Sequence, residues 1–256
     1  MEIASVLNSV ICGDSLQVMK QLPSESVDLI VTSPPYNLGV SSGSGVKMAH
    51  SKYSNWKTCK LANGYDGYTD DMPYEDYLEW QKQCVAEMFR LIKQDGAIFY
   101  NNKNRVQNGL LEDRSVIVKN LPLRQIIIWK RGGGLNFNDG YFLPSCEQIY
   151  MICKPKFKLI KKANHFGDVW DINIETNSPH PAPFPVALSD RIIQSTNAKI
   201  VLDPFGGSGT TAVSALKANR NYILIDKSQK YCEMAKKRVS YKDWRGNEPP
   251  WACDLF

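Results

Sequence analysis

The chain has 256 residues and a mass of 28.9 kDa, room for one large α/β domain or for such a core with a small lobe. Its formal net charge of +5 and pI near 8.7 permit an anionic partner without demanding one. Seven scattered cysteines form no Cys-x-x-Cys pair and have no His at ligand spacing, which excludes a zinc or disulfide framework and fits reduced thiols in a cytoplasmic protein; no apolar run is long enough to cross a membrane and the first residues are no signal peptide.

Val10 to Asp14 reads as a short strand ending in Gly-Asp, and Leu16, Met19 and Leu22 then recur at helical spacing. A turn at Pro23–Ser26 leads to Leu29-Ile30-Val31, a continuous apolar run of the kind found in parallel sheets buried on both faces. Strand, helix and strand at this length predict a βαβ unit with parallel strands and a right-handed crossover. The run ends at Ser33-Pro34-Pro35-Tyr36-Asn37. Two prolines fix φ and remove two donors, so rigid carbonyls stand free beside a hydroxyl and an aromatic ring at the carboxyl end of a strand. Open α/β sheets bind ligands there, and these groups suit a flat ligand bearing an amino group. A proline-rich strand exit with a packed tyrosine is the alternative.

From 38 to 72 glycines and serines give way to Lys47, Lys52, Lys57 and Lys60 among His50, Tyr53, Trp56, Tyr65 and Tyr68, a flexible insertion that is either a nucleic-acid surface or a solvated loop. Tyr74 to Lys93 has helical periodicity, Gln94-Asp95-Gly96 closes it, and Ala97–Tyr100 is a strand. Gly109 to Asn120 reads as a helix or a loop. Strands are predicted at Leu123–Trp129, ending in Lys130, Arg131 and a triple glycine at 132–134, and at Glu147–Cys153. The densest basic stretch, Lys154, Lys156, Lys158, Lys161 and Lys162, opens a segment from 156 to 180 with little apolar periodicity, read as a small lobe or loop. Helical spacing resumes from Ala187 to Ser195.

Lys199–Asp203 is a strand, and Pro204-Phe205-Gly206-Gly207-Ser208-Gly209-Thr210-Thr211 turns it into a helix running to about Asn219. The glycines allow a sharp turn and close approach of a ligand to a helix start. Thr210 stands where a P-loop has its lysine. Asn221–Asp226 is the next strand, and its terminal acid suits paired ribose hydroxyls. This unit predicts a nucleoside cofactor; a plain β–α turn is the alternative.

Taken together, Thr32–Asn37 and Asp203–Thr211 closely resemble the catalytic motif and the cofactor loop of the S-adenosylmethionine-dependent DNA amino-methyltransferases. Their order resembles the circularly permuted beta group. Gly13-Asp14, the segment His180–Pro185 with Leu188 and Arg191, Asp226, and Tyr231–Arg238 resemble further family blocks, so the likeness spans roughly 10–240. The resemblance implies a single permuted Rossmann-like domain with a seven-stranded, mostly parallel sheet, a catalytic region at 10–153, a target-recognition insertion at 156–180 and a cofactor region at 181–240.

By the same resemblance, Ser33 and the Pro34 carbonyl accept the hydrogens of an exocyclic amino group, Tyr36 stacks on a base flipped out of double-stranded DNA, and Pro35 and Asn37 complete the pocket. S-adenosylmethionine is held by Asp14, Phe184, Asp203, Pro204, Phe205, Gly206, Gly207, Ser208, Gly209, Thr210 and Asp226. Lys130, Arg131, Lys156, Lys158, Lys161, Lys162 and His165 contact DNA. Absence of a Pro-Cys pair argues against a cytosine carbon-5 enzyme. Ser33 favours N4 of cytosine over N6 of adenine, since family members with Ser in that place are mostly cytosine enzymes. The resemblance implies a bacterial, archaeal or phage protein of a restriction-modification system, acting as monomer or homodimer beside a separate endonuclease. Competing readings are an RNA or protein methyltransferase, or a binding module without activity.

Overall fold

The computed structural model of the chain describes residues 1–37, 72–132, 139–174 and 184–240. The segment 38–71, most of the triple-glycine loop, and the stretch 175–183 that includes His180–Pro183 lie outside the described residues. The strands are β1 (Ser9–Cys12), β2 (Val27–Thr32), β3 (Ile92–Asn102), β4 (Arg105–Gln107), β5 (Leu110–Glu112), β6 (Leu123–Lys130), β7 (Cys146–Cys153), β8 (Val169–Asp171), β9 (Ile200–Asp203) and β10 (Asn221–Asp226). The helices are α1 (Ser15–Gln21), α2 (Tyr74–Leu91), α3 (Val186–Gln194), α4 (Thr210–Lys217) and α5 (Gln229–Ser240).

Leu29, Ile30 and Val31 are each 0% exposed because β2 lies mid-sheet with helices over both faces. Leu29 and Val31 pack with Leu188 and Ile192 of α3, Ala212 of α4 and Ala235 of α5. Ile30 points the other way, to Met19 of α1 and Val85 and Met88 of α2. Burying each such side chain stabilises by about 1.5–3 kcal/mol, and a one-residue slip of register would exchange the two faces.

Eight strands form the main sheet in the order β1-β10-β9-β2-β3-β7-β6-β8. The five strands from β1 to β3 in that order run parallel, β7 is antiparallel to both its neighbours, and β8 is parallel to β6. The sheet is thus the expected mostly parallel, helix-flanked one, with one strand more than the seven expected. The extra strand is β8, from the segment read as a separate lobe: Phe157, Trp170 and Ile172 are buried in the shared core, so residues 156–174 belong to the main body. The strands β1 and β2 are parallel as their βαβ spacing predicts, but β10 and β9 lie between them.

Two further differences have local causes. The strand β3 begins at Ile92, before Gln94-Asp95-Gly96, because Val27 pairs with Ile92 while Leu29 pairs with Ala97; the extra residues bulge. A side chain at Gly96 would sit 2.9 Å from the Asp28 carbonyl, and Lys93 pairs with Asp28 at 2.7 Å. Gly109 to Asn120 is neither a helix nor a plain loop. Asn108 and Gly109, with φ of 51° and 80°, turn a hairpin of β4 and β5, and a 3-10 turn at Arg114–Ile117 follows. Among the described residues no helix is long and apolar enough to cross a membrane.

Candidate active site

The end of β2 is held by its neighbours rather than by its own turn. Tyr36 donates its hydroxyl to Glu147 Oε2 of β7 at 2.8 Å and lies 2.7 Å from Ser33 Oγ. Asn101, near the end of β3 and fully buried, places its amide nitrogen 2.7 Å from the Tyr36 hydroxyl, 2.8 Å from Glu147 Oε2 and 3.3 Å from Ser33 Oγ. Arg131, just past β6, lies 3.4 Å from Glu147 Oε1. Three segments thus converge on one buried carboxylate carried by a fourth. The proline carbonyls are not both open. Tyr77 of α2 donates to the Pro35 carbonyl at 3.0 Å, whereas the Pro34 carbonyl accepts no hydrogen bond among the described residues. Asn37, at φ 55°, donates to the Met72 carbonyl at 2.8 Å and its own carbonyl accepts from Arg105, so it braces the turn rather than lining a pocket with its amide.

Beside this cluster, β9 delivers the glycine turn. Asp203 is 6% exposed and its carboxylate is consumed internally: Thr32 donates to Oδ1 and Thr211 to Oδ2, each at 2.7 Å, and the Phe205 amide donates to Oδ1 at 3.1 Å. Burial pushes its pKa up to about 6, against the three hydrogen bonds. Asp203 therefore ties the end of β2 to the glycine turn, with one acceptor position left beyond these three bonds. Ser208 and Thr210 are also turned inward: Arg238 of α5 reaches their hydroxyls at 3.5 and 3.1 Å. Gly206 cannot carry a side chain, since a Cβ would lie 2.1 Å from Leu224 Cγ, and Gly209 at φ 91° opens α4.

Asp226 ends β10, next to β9, with each carboxylate oxygen accepting one amide at 2.8 Å, from Gly207 and from Ser228. Burial holds its pKa above the ordinary carboxylate range. A carboxylate has about four acceptor positions, so two remain for a diol, and this half-buried acid fits the ribose of a nucleoside cofactor. Asp14 caps α1 at the end of β1, the strand paired to β10, and is exposed on the same edge. Phe205 meets Trp80 edge-on at 5.7 Å, the Pro204 carbonyl accepts from Ser15, and Phe184 packs on Trp129 at 6.2 Å.

A family model described as DNA methylase matches residues 27–237. The chain belongs to the DNA methylase family. This DNA methylase is 29% identical to the Type II methyltransferase M.BglII of Bacillus subtilis over 95% of its own length and 72% of that protein's. It is 23% identical to the DNA adenine methyltransferase YhdJ of Escherichia coli over 90% and 82%. Among solved structures its fold resembles the cytosine-N4-specific PvuII DNA methyltransferase (TM-score 0.70, 18% identity, 96% and 90% covered). It also resembles TTHA0409 of Thermus thermophilus complexed with S-adenosyl-L-methionine (TM-score 0.65, 24% identity, 94% and 96% covered).

The basic residues of this methylase separate into two groups. Lys130 ends β6 beside the cluster around Glu147, ion-paired to Asp171 at 2.6 Å, and Arg131 follows it. Lys156 and Lys158 lie at the other end of the sheet: the Lys156 amide bonds to the Gln94 carbonyl, and both line a cleft with Asp28 and Asp95. Asp28 is five residues before Ser33 along an extended strand, so the two ends are roughly 16 Å apart. Ile160 is anchored at the same end, to the Ser195 carbonyl just past α3, and Lys161 and Lys162 follow it. His165 lies on the turn before β8 at the outer edge. The structure therefore does not bring Lys156, Lys158, Lys161, Lys162 or His165 to the Ser33–Tyr36 segment; the chain runs down β7, away from it, before reaching them.

Sequence reasoning missed Asn101, Glu147, Lys103 and Arg105. Lys103 follows β3, is half-buried and makes no ion pair among the described residues. Burial lowers its pKa, with Arg131 and Arg105 lowering it further and Glu147 and Cys146 opposing them.

Proposed function

We propose that this methylase transfers a methyl group from S-adenosylmethionine to the exocyclic amino group of a base flipped out of double-stranded DNA, N4 of cytosine, as the modification enzyme of a restriction-modification system. One observation carries the reading. The Thr32–Asp203 bond joins the end of β2, which bears Ser33 and Pro34, directly to the start of the glycine turn, so an amino-accepting site and a nucleoside site share one edge of the sheet.

The cofactor, when bound, supplies an electrophilic methyl group on a sulfonium. Asp226 and Asp14 would take its ribose and adenine, with Phe184 and the turn from Pro204 to Gly209 around it. An exocyclic amine is a weak nucleophile because its lone pair is delocalised into the ring. Ser33 Oγ and the Pro34 carbonyl accept its two hydrogens and turn the lone pair toward the methyl group. Displacement in line then depends on positioning and on exclusion of water, without a covalent enzyme intermediate. Tyr36, anchored through its hydroxyl, holds its ring where the base would stack. Pro35 keeps the turn rigid. A methyl donor beside an amine acceptor also disfavours the alternative of a binding module without activity.

Ser33 supports cytosine; the adenine enzyme among the relatives keeps N6 of adenine as the second reading. Lys103, Arg105, Lys130 and Arg131 all stand at the carboxyl ends of β3 and β6, and we assign phosphate contacts to this end. The catalytic half at 10–153 and the cofactor half at 181–240 then form one permuted domain. Incubation with S-adenosylmethionine and unmethylated genomic DNA, followed by digestion to nucleosides and mass spectrometry, tests the reading. N4-methylcytosine is expected. N6-methyladenine would overturn the base assignment alone, and no methylated nucleoside would overturn the function.

A further inference from the structure

Methyl transfer to an amino group leaves the nitrogen with one proton too many, and the site must remove it. We propose that Ser33, Tyr36 and Glu147 form a proton relay that carries this proton from the substrate nitrogen to a buried carboxylate; the inference rests on the function proposed above. The geometry supplies both links. Tyr36 donates to Glu147 Oε2 at 2.8 Å, so its oxygen is left to accept from Ser33 at 2.7 Å, and Ser33 in turn keeps acceptor positions for the substrate amine.

In the transfer, the nitrogen lone pair forms the N–C bond while the S–C pair leaves with sulfur, which becomes a neutral thioether. An N–H bond breaks as its proton passes to Ser33 Oγ. The serine proton passes to the Tyr36 oxygen, and the tyrosine proton to Glu147, which ends as a neutral acid. One positive charge on sulfur and one negative charge on Glu147 are both removed, so total charge is conserved and Arg131 is left as the cation beside a neutral Glu147.

Asn101 gives the relay its direction. Its amide nitrogen has two hydrogens for three acceptors, Glu147, the Tyr36 hydroxyl and, more distantly, Ser33. With both sites on the tyrosine side filled, the tyrosine proton has one acceptor, the glutamate. Asn101 Oδ1 is buried without a hydrogen-bond partner among the described residues. The charged and titratable groups facing Glu147 are Arg131 from β6, Lys103 from the end of β3, with Arg105 and Cys146 beside it, and Tyr36 from the turn after β2. Arg131 lies 3.4 Å from Glu147 Oε1, and the Pro34 carbonyl, which has no proton of its own to pass on, cannot take the place of Ser33 in the relay.

The test is the single-turnover methylation rate, with S-adenosylmethionine saturating and enzyme in excess over duplex, for the wild type, Glu147→Gln, Tyr36→Phe and their double variant. Glutamine keeps the size and the hydrogen-bonding reach of Glu147 but cannot accept the proton; phenylalanine keeps the stacking ring. Both variants should lose about 10²-fold and bind cofactor as the wild type does. Their double variant should lose no more than either alone, because one chain is broken once or twice. A wild-type rate in Glu147→Gln, or multiplying losses in the double variant, would overturn the relay while leaving the methyltransferase reading intact. A wild-type enzyme that methylates nothing would remove both.

Discussion

Thr32 and Asp203 are 171 residues apart in sequence and share a buried hydrogen bond of 2.7 Å, which ties the strand that presents the amine-accepting motif to the strand that presents the glycine turn. Thr32→Val keeps the shape and removes the donor, leaving Asp203 Oδ1 with the Phe205 amide alone. We expect a loss of about 1–3 kcal/mol in urea unfolding and weaker binding of cofactor and DNA together, whereas an effect on one ligand alone would mean the two sites are not joined here.

Asp203 also gives the fold a pH signature. Its folded pKa, about 6, is above the unfolded value of 3.8, so the folded state holds the proton more tightly. Its contribution is most favourable below pH 3.8 and is lost as pH rises to about 6, reaching about 3 kcal/mol at most. Asp203→Asn, which does not titrate, removes this dependence. The stability difference between wild type and variant, from urea unfolding, should therefore change between these two values and stay flat above them.

At Gly206 the constraint is steric. A Cβ would meet Leu224 Cγ at 2.1 Å and both its Cδ atoms at 2.5 Å. Gly206→Ala should displace the turn and weaken S-adenosylmethionine binding by about tenfold or more, equivalent to about 1.4 kcal/mol. Adding Leu224→Ala makes room and should recover the affinity, though not the stability lost from the core. Calorimetric titration of the two variants separates these effects.

The two basic groups make opposite predictions for DNA. Lys103→Met with Arg105→Gln, at the catalytic end, should weaken binding and lower the slope of log affinity against log salt by about 0.9 for each phosphate no longer neutralised. Lys156→Gln with Lys158→Gln, at the far end, should leave both unchanged. Fluorescence anisotropy over a salt series reads both quantities.

What was legible in the sequence follows from where the information lies. Leu29-Ile30-Val31, the spacing of Leu16, Met19 and Leu22, and the glycine turn carry their structure locally, and each element formed where its pattern placed it. The hairpin was legible too: Asn108-Gly109 is a strong local turn signal, and it outweighs the weak periodicity of the residues that follow. Three residues of β8 have no pattern of their own and become a strand only because the edge of β6 is open to them. Glu147 marks the head of a strand in the sequence, but nothing local distinguishes it; its partner Tyr36 lies 111 residues away. The basic run from Lys154 misled for the same reason, because charge density says nothing about which end of a sheet it occupies.

The β2–β9 ladder that carries the Thr32–Asp203 bond is short: only Leu29 with Val201 and Ile30 with Leu202 are in register, against six pairs between β3 and β7. It is therefore the line along which the sheet would first part. Cooperative opening there would release β9, β10 and β1 as one unit from β2, β3, β7, β6 and β8 as another, and slow amide exchange would sort the molecule into those two blocks. A ligand gripping both sides of the line would act as a suture, slowing exchange in strands it never touches.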